Sequence, residues 1–111
     1  MSANGSADGA GLAPFRARLD EIDDAIATLL GERFDICRDV ARYKSANAIP
    51  MMQPDRVVQV RERYLARGAA AGLPQDFSAE LFEVLIGATC RLEDEIIAAL
   101  DGAASEEAET A

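Results

Sequence analysis

Apolar residues recur at helical spacing without a break from Leu19 through Ile22, Ile26, Leu29, Leu30, Phe34, Cys37 and Val40 to Ala41, and this period limits what the chain can become. It predicts one helix from about Pro14 to about Asn47. That helix is ~33 residues, or ~50 Å, at about 1.5 Å per residue. Pro14 suits its first turn, where a missing N–H costs nothing. Gly31 in its interior costs about 1 kcal/mol against Ala, so it marks an expected close helix contact. A compact domain of this size has a radius of gyration of only ~13 Å, so one end of the helix must overhang its own core. A symmetric dimer is the common way to cover such an overhang.

Two further helices are expected. One opens near Pro54, carries Val57, Val60, Tyr64 and Leu65, and ends at Gly72-Leu73-Pro74. The other runs from about Asp76 to Leu100 through Phe77, Leu81, Leu85, Leu92, Ile96 and Ile97. No alternating strand pattern or hairpin turn occurs, so the expected class is all-α with three helices per chain, one very long. Residues 1–11 are Gly, Ala, Ser and Asn-rich and residues 101–111 are small and acidic, so both are expected to be disordered tails around a domain at 12–100. The acidic run Glu106-Glu107-Ala108-Glu109 reads as a solubilising end.

The formal charge of −9 argues against nucleic acid or an anionic membrane as partner, since either would want a basic stripe. There is no apolar run of membrane length and no leader pattern, so the expected location is the cytoplasm. With no His, imidazole catalysis is excluded and the usual zinc sites are disfavoured. Cys37 and Cys90 fit no metal or redox spacing and are expected to be buried thiols. No phosphate-cradling Gly loop is present, and no cofactor or metal is expected.

Within the long helix Arg33 and Lys44 are 11 residues apart, almost three whole turns, so both cations point the same way. They lie ~16 Å apart along the axis, within reach of two long side chains converging on one small anion. Cys37 and Val40 fall between them on the same stripe and give an apolar floor. A cation at each end of such a floor suits a small ligand carrying two carboxylates. Exposed Arg and Lys on a helix are more often simply solvated, so the pair requires support from the rest of the chain. Arg16 lies ~25 Å before Arg33 along the helix, too far to share one small ligand within a subunit. In an interlocked dimer with antiparallel long helices, Arg16 of the partner subunit can complete the site.

The arrangement Arg16, Leu19, Ile22, Asp23, Leu30, Arg33, Val40, Lys44, then Pro50, Arg56 and Leu81-Phe82 resembles the all-helical, intertwined-dimer chorismate mutases. The resemblance covers the chain from Leu12 to Leu100, and the spacings of Arg16, Arg33, Lys44 and Arg56 match without a gap. It implies that Arg33 and Arg16 of the partner subunit hold two substrate carboxylates. It also implies that Lys44 reaches a carboxylate and the ether oxygen whose bond to carbon breaks, and that Arg56 supports the site from the second helix. Thr89 then lines the pocket, and position 93 on the third helix faces the ether oxygen. A [3,3]-sigmatropic rearrangement needs no general acid, base, nucleophile or metal. It needs a compact conformer and preorganised donors for charge developing on the ether oxygen. A million-fold acceleration asks these effects for roughly 8 kcal/mol.

Three positions depart from the housekeeping pattern. Val57 stands where many members carry an acid that accepts a hydrogen bond from the substrate's C4 hydroxyl, and Gln53 stands where an Asp is usual. Glu93 stands where bacterial members usually carry Gln. Read without the family register, Glu93 is a surface residue in the acidic run Glu93-Asp94-Glu95. Inside the register, an ionised carboxylate beside an ether oxygen and two substrate carboxylates would repel them. Glu93 is therefore expected to be protonated in the complex or paired with a cation.

The segments Tyr43-Lys44-Ser45, Ile49 to Pro54 and Cys90 to Asp94 look most like the 4-amino-4-deoxychorismate mutases. The isochorismate pyruvate lyases share the texture around Pro50 to Val57 but keep Gln at position 93. The expectation is thus a homodimeric mutase with a small dicarboxylate substrate, most similar to those acting on 4-amino-4-deoxychorismate. Chorismate, isochorismate cleavage and a catalytically silent helical dimer follow as alternatives.

Overall fold

A computed structural model of the chain describes residues 6–110, with side chains from 9 to 103. Three helices make up the fold: α1 (Ser6–Ala46), α2 (Pro54–Ala70) and α3 (Gln75–Thr110), with no strand among the described residues. The all-α expectation holds, but two of the helices are longer than their apolar period. α1 starts eight residues before Pro14, which lies inside it rather than in its first turn. Ala7, Ala10 and Ala13 favour these extra turns, although Pro14 withholds one helix hydrogen bond. α3 continues ten residues past Leu100 through another alanine-rich stretch. Residues 6–11 and 101–110, expected as tails, are therefore helical, and 1–5 and 111 lie outside the described residues.

The chain divides into two units, Met1–Phe34 and Asp35–Ala111. In the first, the described part of α1 carries exposed large apolar side chains, among them Phe15, Leu19, Ile26 and Leu29. Gly31 also lies there, and a Cβ built on it would meet nothing within 4 Å, so the close contact expected of this glycine is not made among the described residues.

The second unit holds the end of α1, α2 and α3, and α2 packs on α3. Ala41, Val60, Phe82 and Leu85 form its buried apolar centre. Tyr64 meets Phe82 edge to face, with ring centroids 6.1 Å apart. The two helices approach most closely where Gly68 faces Ser78: a Cβ on Gly68 would collide with the Ser78 hydroxyl and sit 3.0 Å from its Cβ. Ser78 is only 1% exposed, and its hydroxyl oxygen has no hydrogen-bond partner among the described residues. Such a group ordinarily costs about 1–3 kcal/mol.

The junction between α2 and α3 is closed by a left-handed Gly72 (φ 80°). Leu73 N donates to Gly68 O at 2.9 Å and Gly72 N to Ala69 O at 3.0 Å, which satisfies the last carbonyls of α2. Gln75 Nε2 then donates to Leu65 O, tying the start of α3 back to α2.

Candidate active site

α1 ends in the same kind of motif, with an unusual residue at its centre. Ile49 N donates to Lys44 O at 2.9 Å and Ala48 N to Ser45 O at 3.4 Å, around Ala48 in the left-handed region at φ 53°. Asn47 adds a side-chain bond from Nδ2 to Tyr43 O. The sharp turn sends the chain back along α1, so that the Met51 carbonyl meets the side chain of Lys44.

Lys44 is the hub of the site. Its Nζ donates to Met51 O at 2.6 Å and to Glu93 Oε1 at 3.0 Å. The two side chains are 15% and 11% exposed, so this ion pair is largely withdrawn from water. Its sequence separation, 49 residues, makes it a tertiary clamp between the last turn of α1 and the middle of α3. Ser45 Oγ reinforces the clamp by donating to Asp101 Oδ1 at 3.0 Å. The other described ion pairs, Arg18–Glu21, Arg38–Asp35 and Arg42–Asp39, are exposed i,i+3 neighbours on α1 worth little. Glu93 is thus not a member of a solvated acidic face. It is buried and paired with a cation, one of the two states expected of it.

Thr89 lies one turn before Glu93 and is 3% exposed, with its hydroxyl donating to Leu85 O at 2.9 Å. Because that proton is engaged with the helix, Thr89 presents lone pairs and a methyl group to its surroundings. Cys90 is half-buried rather than fully buried, as is Cys37, and neither forms a disulfide. Burial pushes the Cys90 thiol pKa up; the negative charges of Glu93 and Asp94 add to that, and the Lys44 ammonium opposes them.

Gln53 and Arg56 gather at the start of α2. They line a cleft of about 330 Å³ together with Pro54, Asp55 and Gln59. Arg56 Nη1 donates to Gln59 Oε1 at 2.6 Å, and Gln53 Nε2 donates to Pro50 O at 2.9 Å. Gln53 occupies the cap position of α2 without a side-chain cap bond and is exposed. Val57 is half-buried one residue beyond Arg56.

Lys44 and Glu93 are therefore brought together, with Thr89 one turn before Glu93 on α3, and Gln53, Arg56 and Val57 cluster at the head of α2. Arg16, exposed, and Arg33, half-buried, belong to the first unit. The Met51 carbonyl was not expected at the site. A main-chain acceptor leaves no mark in the residue type, and only Asn47 near the end of the period hinted at the turn that delivers it. No helix among the described residues is long and apolar enough to cross a membrane.

Among the described residues the protein is of the small all-α class, with a lysine–carboxylate pair largely withdrawn from water between α1 and α3. Residues 15–94 match the family model of chorismate mutase type II, and the chain belongs to that family of isomerases. It is 42% identical over 83 residues to the 4-amino-4-deoxychorismate mutase of Streptomyces pristinaespiralis, covering 75% of this chain and 64% of that relative. It is 40% identical over 79 residues to the 4-amino-4-deoxychorismate mutase of Streptomyces venezuelae, covering 71% of this chain and 77% of the relative. The chorismate mutase of Methanocaldococcus jannaschii is 31% identical over 75 residues, covering 68% and 76%. The chain thus spans a little under two thirds of the S. pristinaespiralis relative. No solved structure matches the chain.

Proposed function

We propose that this chain is an isomerase that converts 4-amino-4-deoxychorismate to 4-amino-4-deoxyprephenate as a homodimer. The observation that carries the reading is the Lys44–Glu93 pair, 3.0 Å long and largely withdrawn from water, in a chain whose relatives at 42% and 40% identity bear that enzyme's name. The reaction is intramolecular: an ether C–O bond breaks, a C–C bond forms, and no atom enters or leaves. Its demand on the protein is a folded substrate conformer and positive potential where the ether oxygen gains charge.

Lys44 supplies that potential. The Met51 carbonyl holds its ammonium in place, and the low exposure of the pair keeps water from screening it. Glu93 balances Lys44 while the site is empty. Glu93 Oε1 and Met51 O accept two of the three ammonium protons of Lys44, which fixes the direction in which the third is offered to the ether oxygen. Arg33 and Arg16 of the partner subunit hold the carboxylates, and Arg56 and Thr89 complete the lining. At the C4 substituent, Gln53 offers its Oε1 as an acceptor, while one N–H of its amide is engaged by Pro50 O. A protonated amine has donors and no lone pair, so that acceptor suits it. Val57 supplies no acid to select a hydroxyl.

The dimer rests on the exposed stripe of α1 and on the thin centre of the chain. Phe15, Leu19, Ile26 and Leu29 are 49–68% exposed. Four buried apolar side chains among the described residues are a small core for helices of 41, 17 and 36 residues. Burying the stripe against a second α1 supplies the missing apolar area.

The test is to offer the purified protein 4-amino-4-deoxychorismate, chorismate and isochorismate separately and to identify products by mass and chromatography. A mass-neutral rearrangement confined to the amino substrate supports the proposal, and one confined to chorismate makes the chain an ordinary chorismate mutase despite Val57. Salicylate with pyruvate from isochorismate would make it a lyase. No product from any of the three would leave a catalytically silent helical dimer.

A further inference from the structure

The last turn of α1 grips α3 at two points. Lys44 Nζ donates to Glu93 Oε1, and the next residue, Ser45, donates from Oγ to Asp101 Oδ1 at 3.0 Å across 56 residues of sequence. Glu93 and Asp101 are eight residues apart on α3, about 12 Å along its axis. Two adjacent residues of α1 are therefore tied to α3 more than two turns apart. The second tie fixes the angle at which the end of α1 meets α3, which a single tie leaves free.

That angle has little else to hold it. Residues 35–46 of α1 bring no Cα within 8 Å of α2 or α3, whereas α2 and α3 do approach each other that closely. The placement of this last turn therefore rests on side chains. Ser45 also belongs to the turn that follows: its carbonyl accepts from Ala48 N, and that turn returns the Met51 carbonyl to Lys44 Nζ at 2.6 Å. The Ser45–Asp101 bond thus joins α3 to both of the groups that orient the ammonium. Asp101 is exposed and makes no ion pair among the described residues. It is the first residue of α3 past Leu100, so the extension of the helix beyond its apolar period is what carries this carboxylate to Ser45.

We propose that Ser45 and Asp101 are positioning residues for the Lys44 ammonium, setting the tilt of the last turn of α1 so that the third N–H of Lys44 is aimed into the site. The proposal rests on the mutase reading for its kinetic consequence alone; the placement of Lys44 is independent of it. An exposed bond of this kind contributes modestly to global stability, so its loss shows in the geometry around Lys44 rather than in unfolding.

The test compares Asp101→Ala, Ser45→Ala and Asp101→Asn with the wild type in the full isotope-labelled chain. The first readout needs no substrate: the carbon resonance of the Met51 carbonyl and hydrogen exchange at the Ile49 amide, both of which bond to Lys44. In the two Ala variants the resonance should move and the exchange quicken severalfold, with a nearly unchanged urea midpoint. Asp101→Asn keeps an Oδ1 acceptor and should restore both signals. The second readout is turnover of 4-amino-4-deoxychorismate, where kcat should fall roughly tenfold in the Ala variants and recover in Asp101→Asn. KM should stay within about twofold, because the groups that hold the carboxylates are untouched. Asp39→Ala, which removes an exposed pair elsewhere on α1, should change none of these. Wild-type signals at Met51 and Ile49 in Asp101→Ala would overturn the proposal, as would unchanged kcat or a loss of activity matched by a loss of stability. Moved signals in a chain that turns over no substrate would instead sink the mutase reading and leave the tie to Lys44 standing.

Discussion

Lys44 Nζ lies 3.0 Å from Glu93 Oε1, across 49 residues of sequence, with both side chains largely removed from solvent. A charged pair in that position is costly to break from one side only, because the survivor is left without a counter-charge. Lys44→Ala should therefore destabilise the fold by about 3 kcal/mol. Glu93→Gln also leaves the ammonium without a counter-charge but keeps an acceptor for it, and should cost less, about 1–3 kcal/mol. Urea unfolding of the two variants checks this, and negligible losses in both would mean that the pair does not act as a clamp.

The same residues separate in catalysis. Removing Lys44 takes away the cation proposed to meet the ether oxygen, and Lys44→Ala should lower kcat roughly 10²–10³-fold or more. Glu93→Gln keeps a side chain that can accept from the Lys44 ammonium, whereas Glu93→Ala leaves the ammonium unpositioned, so turnover should fall much further in the Ala variant than in the Gln variant. Turnover unchanged in Glu93→Ala would remove Glu93 from the mechanism.

The exposed face of α1 leads to a prediction about assembly. Ile26 is 49% exposed in the single chain, between the still more exposed Leu19 and Leu29. In sedimentation at micromolar concentration the wild type should run at twice the protomer mass of 11.8 kDa. Ile26→Asp should shift it to the protomer or abolish cooperative unfolding, since the charge would be buried in the proposed interface. A wild type that sediments as a protomer would remove the dimer and the role given to Arg16.

Ala48 holds a left-handed conformation, φ 53°, that Ala adopts only at a cost. Gly is free of that penalty, and nothing in the turn uses the Ala48 methyl as a hydrogen-bonding group. Ala48→Gly should raise stability by about 0.5–1 kcal/mol. It should also leave turnover unchanged, because the Ile49–Lys44 and Ala48–Ser45 backbone bonds are kept. Destabilisation on this substitution would mean that the turn is not held in the left-handed region in solution.

The helical class was legible in the sequence because apolar periodicity reports which face each helix buries. That Arg33 and Lys44 share one helix was legible because the apolar period runs through both. The boundaries were not, since alanine-rich flanks extend α1 before Pro14 and α3 past Leu100 without any apolar period to reveal them. Glu93 shows the limit most clearly. Its neighbours Asp94 and Glu95 are exposed, and the residue types alone do not say which acid of the three turns inward; the family resemblance pointed to Glu93, and the fold pairs it with Lys44. The Met51 carbonyl and the left-handed Ala48 were illegible for a related reason, because backbone direction after a helix end depends on a turn that Ala does not advertise.

Cys90 gives a prediction from the same electrostatics. Burial raises its pKa, and the charges of Glu93 and Asp94 raise it further, against a partial opposing effect of Lys44. The folded chain therefore holds the thiol proton more tightly than the unfolded chain does. The resulting stabilisation is fully present below the ordinary thiol range and is lost as pH rises through the raised folded value. Alkylation by iodoacetamide at pH 8 should be slower at Cys90 than in the urea-unfolded chain, and Glu93→Gln should accelerate it by removing one of the neighbouring negative charges. The urea midpoint of the wild type should fall between pH 8 and pH 10, and Cys90→Ala should lessen that fall. If alkylation of Cys90 in the folded chain matches that in urea, the thiol is neither shielded nor shifted, and the packing of Glu93 beside it would need to be redrawn.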